Sequence, residues 1–465
     1  MIAVTALTAA AVAAGAAWLG LQDAPESSAS GPVILVVIDT LRADHLSQYG
    51  YDLDTSPGLA AFAAQSTRFE NAYAPTSWTR ASVTSIMTGM NPLRHGVHRQ
   101  EKVADRAWTL ADAFAEKGWA TGGFSLNPNV SDETGLDQGF DHFPELWRSN
   151  TAAYKHMTAG TKEALAWLDE DVDRAAGEQP FLFFLPMNAH GPYRVPDGRE
   201  DDLLGRAPRI GFDYYGTTMQ AIMRGGDADR RVAVSQVMLE SLEQQYDTAI
   251  HYTADTLSGF FDDLKARDLY DDATIIITSD HGEELYEHGG FSHGYSLHDE
   301  VLHVPLFIKL PGQTGAAVVS QRVGLPDLHP TLVELYELTP APVSDGRSLV
   351  PLLENPAADW PARDEVYAID WRKRCVAQAV VQWPWKLLYI KRNYDGLRDV
   401  SALYDLSVDP GELSDVAADH PERVAAMRAV LAERAAALDD AEHWADAAPK
   451  DESIEERLRA LGYVE

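Results

Sequence analysis

Between residues 33 and 308 the chain alternates short, continuous apolar runs with longer stretches of helical periodicity. Val33-Ile34-Leu35-Val36-Val37-Ile38 is rich in β-branched residues and stops at Asp39. A run without polar alternation predicts a strand buried on both faces. Phe181 to Leu185 behaves alike and runs toward His190, and Thr274 to Thr278 runs into Asp280-His281. Val304 to Ile308 is a fourth strand candidate, and Thr109 to Lys117 and Gln236 to Arg267 carry helical spacing. Strands alternating with helices predict an α/β fold with a large, mainly parallel sheet flanked by helices. In such a sheet the C-terminal strand ends share one edge, where ligand sites gather. Asp39, His190, Asp280 and His281, up to 242 positions apart, are therefore expected in one cleft.

The texture changes after about residue 350. Asp364 to Ile369, Ala377 to Gln382 and Trp385 to Lys391 read as short strands, with turn signals at Asn393-Tyr394-Asp395-Gly396. An amphipathic stretch from Pro421 to about Leu438 precedes an acidic tail, so a smaller C-terminal α+β subdomain is expected. At the other end, Met1 to Leu21 is apolar and Ala-rich, and Gln22 to Gly31 is a polar spacer. We read residues 1–31 as a signal peptide or membrane anchor plus spacer, 32–350 as the catalytic domain and 351–465 as the C-terminal subdomain. Export follows as an expectation: periplasmic, extracellular or anchored, with the N-terminus as the only membrane contact. The segment lacks the usual Lys or Arg start, so a misassigned start codon or a buried Ala helix is the alternative.

Charge narrows the partners. Asp and Glu total 71 against 38 Lys and Arg, a formal charge of −33. That field repels nucleic acid and anionic membrane surfaces. An anionic substrate must then be attracted locally, by a metal or a few placed bases. The single cysteine, Cys375, excludes a disulfide framework within the chain and any Cys-based zinc site.

Three groups of residues carry candidate chemistry. Asp39, Asp280 and His281 offer two hard oxygens and one imidazole, a set that suits Ca²⁺, Mn²⁺, Mg²⁺ or Zn²⁺. Alternatively, Asp39 caps a turn or pairs with Arg42. Thr76-Ser77-Trp78-Thr79-Arg80 precedes a helical stretch ending near Gly89. If the turn is helical, Thr76 and Arg80 share a face, beside a helix N-terminus that favours anions. A hydroxyl nucleophile with a guanidinium suits attack on a tetrahedral oxyanion ester, although from this segment alone an N-cap role for Thr76 or Ser77 is the better reading. His190 and His293 lie in the Gly-containing loops His190-Gly191-Pro192-Tyr193 and His288 to Gly294, positions that favour function over packing.

The strings VILVVIDTLRADHLSQYGY (33–51), APTSWTRASVTSIMTGMNPLRHGV (74–97), HGPY (190–193) and TSDHGEE (278–284) resemble the sulfatase family of the alkaline phosphatase superfamily, in that family's order. The resemblance runs through Val304-Pro305-Leu306 and Leu403-Tyr404-Asp405-Leu406, over roughly residues 32–425. It implies an alkaline-phosphatase-like fold and hydrolysis of sulfate or phosphate esters, of small anionic molecules or glycans. Asp39, Asp280 and His281 match the family's ligands for one divalent metal ion, with Ca²⁺ the first expectation. Arg80 matches the arginine supporting the nucleophile, His190 a histidine at the ester group, and His293 a basic residue near the leaving group. Asn127 is expected to line the substrate pocket, although the family's lysine–histidine pair is missing from Gly122 to Asn129. Asp39-Thr40 stands where paired aspartates are usual. Thr76 stands where the C/S-x-P-S-R motif carries the residue oxidised to formylglycine, which threonine cannot form; Ser77 fits only with a one-residue slip. Thr76 is accordingly expected to form the covalent intermediate, as in relatives using unmodified threonine for phosphodiester cleavage or phosphotransfer. A non-catalytic, glycan-binding relative is the rival expectation.

Overall fold

The computed structural model describes residues 30–148, 156–193, 195–196, 235–360, 366–372, 375–392, 398–439 and 445–447. The expected N-terminal leader, the turn at 393–396 and most of the acidic tail lie outside them. A seven-stranded sheet forms the centre, from β1 (Val33–Ile38), β2 (Thr67–Tyr73), β3 (Ala120–Ser125), β4 (Pro180–Leu185), β5 (Thr274–Ser279), β8 (His303–Lys309) and β9 (Ala317–Gly324). The hairpin strands β6 (Glu284–Leu285) and β7 (Phe291–Ser292) lie between β5 and β8 in sequence. The central order is β9-β2-β8-β5-β1-β4-β3. β1 pairs parallel with β4 and β5, and β3 parallel with β4. β8 runs antiparallel to both β5 and β2, so the sheet is mixed but mostly parallel.

β1 shows why a continuous apolar run suits the centre. Val33, Leu35 and Val37 enter the hydrophobic cluster on one face, while Ile34, Val36 and Ile38 enter the cluster on the other. The first face packs α1 (Thr79–Thr88) and α2 (Leu110–Glu116); the second packs α3 (Met157–Glu170) and α4 (Gln236–Lys265). Polar Thr109 closes the start of α2 with a reciprocal capping box to Asp112. Further along, β10 (Val366–Arg372), β11 (Cys375–Gln382), β12 (Trp385–Arg392) and β13 (Val400–Asp405) form a separate antiparallel sheet. The short helix α5 (Asp299–Leu302) precedes β8, and α6 (Pro421–Asp439) packs Met427 and Leu431 on the C-terminal sheet. No helix among the described residues is long and apolar enough to cross a membrane.

β2 is parallel to β5 through the intervening β8. Five strands thus deliver their following residues to one edge: Thr76 after β2, Asn127 after β3, Asp39 after β1, His190 after β4 and Asp280 after β5.

Candidate active site

The turn after β1 is held from three sides. Thr40 adopts φ 58°, a left-handed conformation, and its hydroxyl donates to the carbonyls of Asp39 and Ala189. From α4, the Tyr246 hydroxyl donates to Thr40 O at 2.7 Å and accepts from Arg42 N at 2.9 Å. Thr40 therefore spends its hydroxyl on the backbone, where a second aspartate would have brought another carboxylate. Asp39 itself is fully buried and sends Oδ2 to Asn127 Nδ2 at 2.5 Å. Asp280, also fully buried, accepts Thr40 N at 3.2 Å and His281 N at 2.9 Å on Oδ1. Among the described residues, Asp39 Oδ1 and Asp280 Oδ2 have no hydrogen-bond partner.

His281 completes the group. Its Nδ1–H donates to Gly282 O at 2.9 Å, because a carbonyl can only accept. Nε2 therefore carries the lone pair, 3.3 Å from Asp280 Oδ2. Ligand atoms of Asp39, Asp280 and His281 lie within 4.8 Å of one another. Burial, and then the Asp280 charge, pushes the Asp39 carboxyl well above the usual range. Two buried carboxylates with orphaned oxygens and an oriented imidazole lone pair fit a divalent cation, whose charge would offset the cost of their burial.

The second group corrects one expectation. Helix α1 begins at Thr79, with Trp78 as an extended N-cap, so Thr76 to Trp78 is not helical and Thr76 does not share a helical face with Arg80. Thr76 and Ser77 are buried, and among the described residues the Ser77 hydroxyl makes no hydrogen bond. The hydroxyl that contacts the Asp39–Asp280–His281 cluster is that of Thr79, 3.2 Å from His281 Nε2. Ser82, one turn into α1, donates to Asp280 O at 2.6 Å and fixes the helix start against the cluster. Arg80 donates to Glu101 O at 3.0 Å and to Asn129 Oδ1 at 3.3 Å, while its Nε is buried without a partner. Burial lowers its guanidinium to about 10. Asn129 N donates to Asn127 Oδ1 at 2.7 Å, so a polar relay links Arg80 through two asparagines to Asp39. Asn127 is fully buried and donates its amide to the Asp39 carboxylate.

The histidines close the cluster. The His293 ring lies 4.5 Å from His281 and 4.9 Å from His190, centroid to centroid. His190 donates Nδ1–H to Gly191 O at 2.6 Å, and burial lowers it to about 3. Burial, then His281 and His190, also pushes His293 well below the usual range. Its Nδ1 stands 3.1 Å from Glu283 Oε1, and burial raises Glu283 to about 8. Trp78 lies 5.9 Å from the His293 ring and carries the Arg99 guanidinium 4.0 Å above its own ring. Thr79, Glu283, Asn129 and Arg99 were not anticipated from spacing. Glu283 sat within the quoted string 278–284; nothing local marks Arg99.

The chain belongs to the sulfatase family, whose model matches residues 32–338. A second model, described as N-sulphoglucosamine sulphohydrolase, C-terminal, matches residues 286–440. Arylsulfatase K of Gallus gallus is 26% identical over 298 residues, covering 58% of this chain and 54% of the relative. An arylsulfatase of Clostridium perfringens is 22% identical over 471 residues, covering 86% and 93%. The match thus spans about half the length of the arylsulfatase K relative. Among solved structures, the phosphonate monoester hydrolase of Agrobacterium radiobacter superimposes with a TM-score of 0.67 at 22% identity, covering 88% of this chain and 95% of that one. A 2-O GAG sulfatase gives 0.70 at 18%, covering 88% and 93%. These likenesses establish the alkaline-phosphatase-like sulfatase fold.

Proposed function

We propose that this protein hydrolyses sulfate or phosphate esters with a divalent cation held by Asp39, Asp280 and His281. The buried pair of aspartates, each with one orphaned oxygen beside the His281 lone pair, carries the reading. The bound cation would polarise an ester oxygen and lower the pKa of a nearby hydroxyl. Ca²⁺ is the ion we favour, and Mn²⁺, Mg²⁺ and Zn²⁺ also suit the mixed oxygen and nitrogen set.

Thr76 is the proposed nucleophile, by its register four residues before Arg80 and its place after β2 at the edge that carries the cluster. Free N–H groups at the start of α1 and the unpartnered Arg80 Nε supply donors for the transferring group's oxygens. At neutral pH Glu283 keeps its proton and donates it to His293 Nδ1, so His293 Nε2 keeps a hydrogen for the departing oxygen. His190, neutral with Nδ1–H committed to Gly191, presents Nε2 as an acceptor for the water that releases the enzyme. A threonine ester must be broken by water attack on sulfur or phosphorus, since threonine lacks the aldehyde hydrate that expels sulfate. One observation favours a second reading: the Thr79 hydroxyl, not that of Thr76, touches His281.

The substrate we propose is a small anionic molecule or glycan ester, met outside the cytoplasm if Met1 to Leu21 directs export. The test is 4-nitrophenol release from 4-nitrophenyl sulfate, 4-nitrophenyl phosphate and bis(4-nitrophenyl) phosphate, with each cation and with EDTA. Cation-dependent turnover lost in Thr76→Ala supports the assignment; loss in Thr79→Ala alone transfers the nucleophile to Thr79. Cation binding with no turnover on a broad ester panel supports the non-catalytic rival.

A further inference from the structure

We propose that His288, His298 and Glu300 form a second cation site, selective for zinc-type ions and distinct from the Asp39–Asp280–His281 cluster. His288 lies in the β6–β7 turn, while His298 and Glu300 lie at the start of α5. One ligand atom from each residue lies within 4.8 Å of the others. The side chains are mostly buried: His288 is 13% exposed and Glu300 10%. His288 Nε2 approaches Glu300 Oε1 to 2.8 Å, close enough to pair with it, and among the described residues Glu300 Oε2 is buried without a partner. A buried carboxylate oxygen left without a donor beside two imidazoles is what a shared cation would satisfy.

The charges around the group point the same way. Arg42 is committed to Asp44 and Glu287, and Lys386 to Asp299 and Glu412. Glu284, whose Oε1 accepts Gly290 N at 3.0 Å, has its carboxyl raised by burial and then by the Glu300 charge nearby. Among the described residues neither Glu284 nor Glu300 pairs with a lysine or arginine. Two carboxylates therefore face two imidazoles, with no fixed cation between them. The rings of His288 and His298 stack at 3.5 Å with 9° between planes.

Two imidazoles and a carboxylate select Zn²⁺, Co²⁺ or Ni²⁺ over Ca²⁺ and Mg²⁺, which demand oxygen. An ion here would tie the hairpin next to His293 to α5, which Lys386 already holds to the C-terminal sheet. Its role would be structural.

The test uses the full chain carrying Asp280→Asn, which disables the first cluster. Metal-free protein is dialysed against Zn²⁺, and bound metal is counted; Co²⁺ replaces Zn²⁺ for its ligand-field spectrum. The proposal expects one equivalent of Zn²⁺, loss of that equivalent on adding His298→Gln, and no displacement by excess Ca²⁺. Absence of bound Zn²⁺ in Asp280→Asn, or an unchanged equivalent and Co²⁺ spectrum in the double variant, overturns it. The single variant with its Co²⁺ spectrum keeps the test decisive if the double variant does not fold: a spectrum without imidazole nitrogen also overturns the proposal.

Discussion

Asp280→Asn should make the metal-free protein more stable while removing its response to metal. The substitution keeps Oδ1 as acceptor for Thr40 N and His281 N and replaces only the orphaned Oδ2. The new amide can donate to the His281 Nε2 lone pair, 3.3 Å from the atom it replaces. What disappears is the repulsion between two buried carboxylates. With ligand atoms within 4.8 Å, that repulsion is about 3.5 kcal/mol at an effective dielectric of about 20. Proton uptake by Asp39 relieves part of it, so the net gain is smaller than the full repulsion between two charges. For a chain of 465 residues, an unfolding entropy of about 2 cal/mol/K per residue converts it to a rise of about 4 °C in Tm. The wild type should instead gain about 2.7 kcal/mol, a similar shift, from a cation at one hundred times its Kd. Scanning calorimetry of EDTA-treated and Ca²⁺- or Mn²⁺-loaded proteins separates the two. If metal-free Asp280→Asn melts below the metal-free wild type, or keeps the full cation shift, the carboxylates do not form the cation site.

Three further outcomes follow from neighbouring contacts. Asn127→Ala removes the amide from Asp39 and should weaken cation affinity by about 10- to 100-fold, read by isothermal titration, with the fold intact by circular dichroism. Lys386 is fully buried between Asp299 at 2.6 Å and Glu412 at 2.7 Å, so Lys386→Met should cost about 3–5 kcal/mol in a denaturant titration. His95 is buried, accepts Val97 N on Nδ1 and sits 3.0 Å from Ser85 Oγ through Nε2, and burial lowers it to about 3 from 6.5. The unfolded chain therefore takes the proton first, and the His95 contribution should be lost as pH falls from about 6.5 toward 3. His95→Gln should show a smaller drop in urea midpoint between pH 7 and pH 5 than the wild type.

The strands legible in the sequence are those whose two faces both demand apolar side chains. β1, β4 and β5 lie inside the sheet and read as unbroken runs. β2 was invisible because Arg68, Glu70 and Asn71 interrupt it on its half-buried face. β3 hid behind Gly122 and Gly123, where a Cβ would come within 2.8 Å of Trp167 and 2.4 Å of Phe143; the glycines are there to admit those rings. Val304 to Ile308 was recognised as a strand, but its antiparallel direction depends on the hairpin loop from β5, which has no apolar signature. Asp39, Asp280 and His281 were readable because each follows a run that ends at the same edge. Spacing misled at Thr76 and Arg80: a four-residue interval implies a shared face only inside a helix, and α1 starts three residues later than Thr76. The Asn127 contact with Asp39 joins positions 88 apart, beyond the reach of local pattern.

The central claim is covalent catalysis by Thr76 at a cation held by Asp39, Asp280 and His281. The most direct measurement is rapid acid quenching of the cation-loaded protein during turnover of a 4-nitrophenyl ester, followed by peptide mass spectrometry across residues 74–97. The account predicts a phosphoryl or sulfuryl adduct on Thr76, absent from Thr76→Ala and from EDTA-treated protein. An adduct on Thr79, or undiminished turnover by Thr76→Ala with no adduct on this segment, contradicts it.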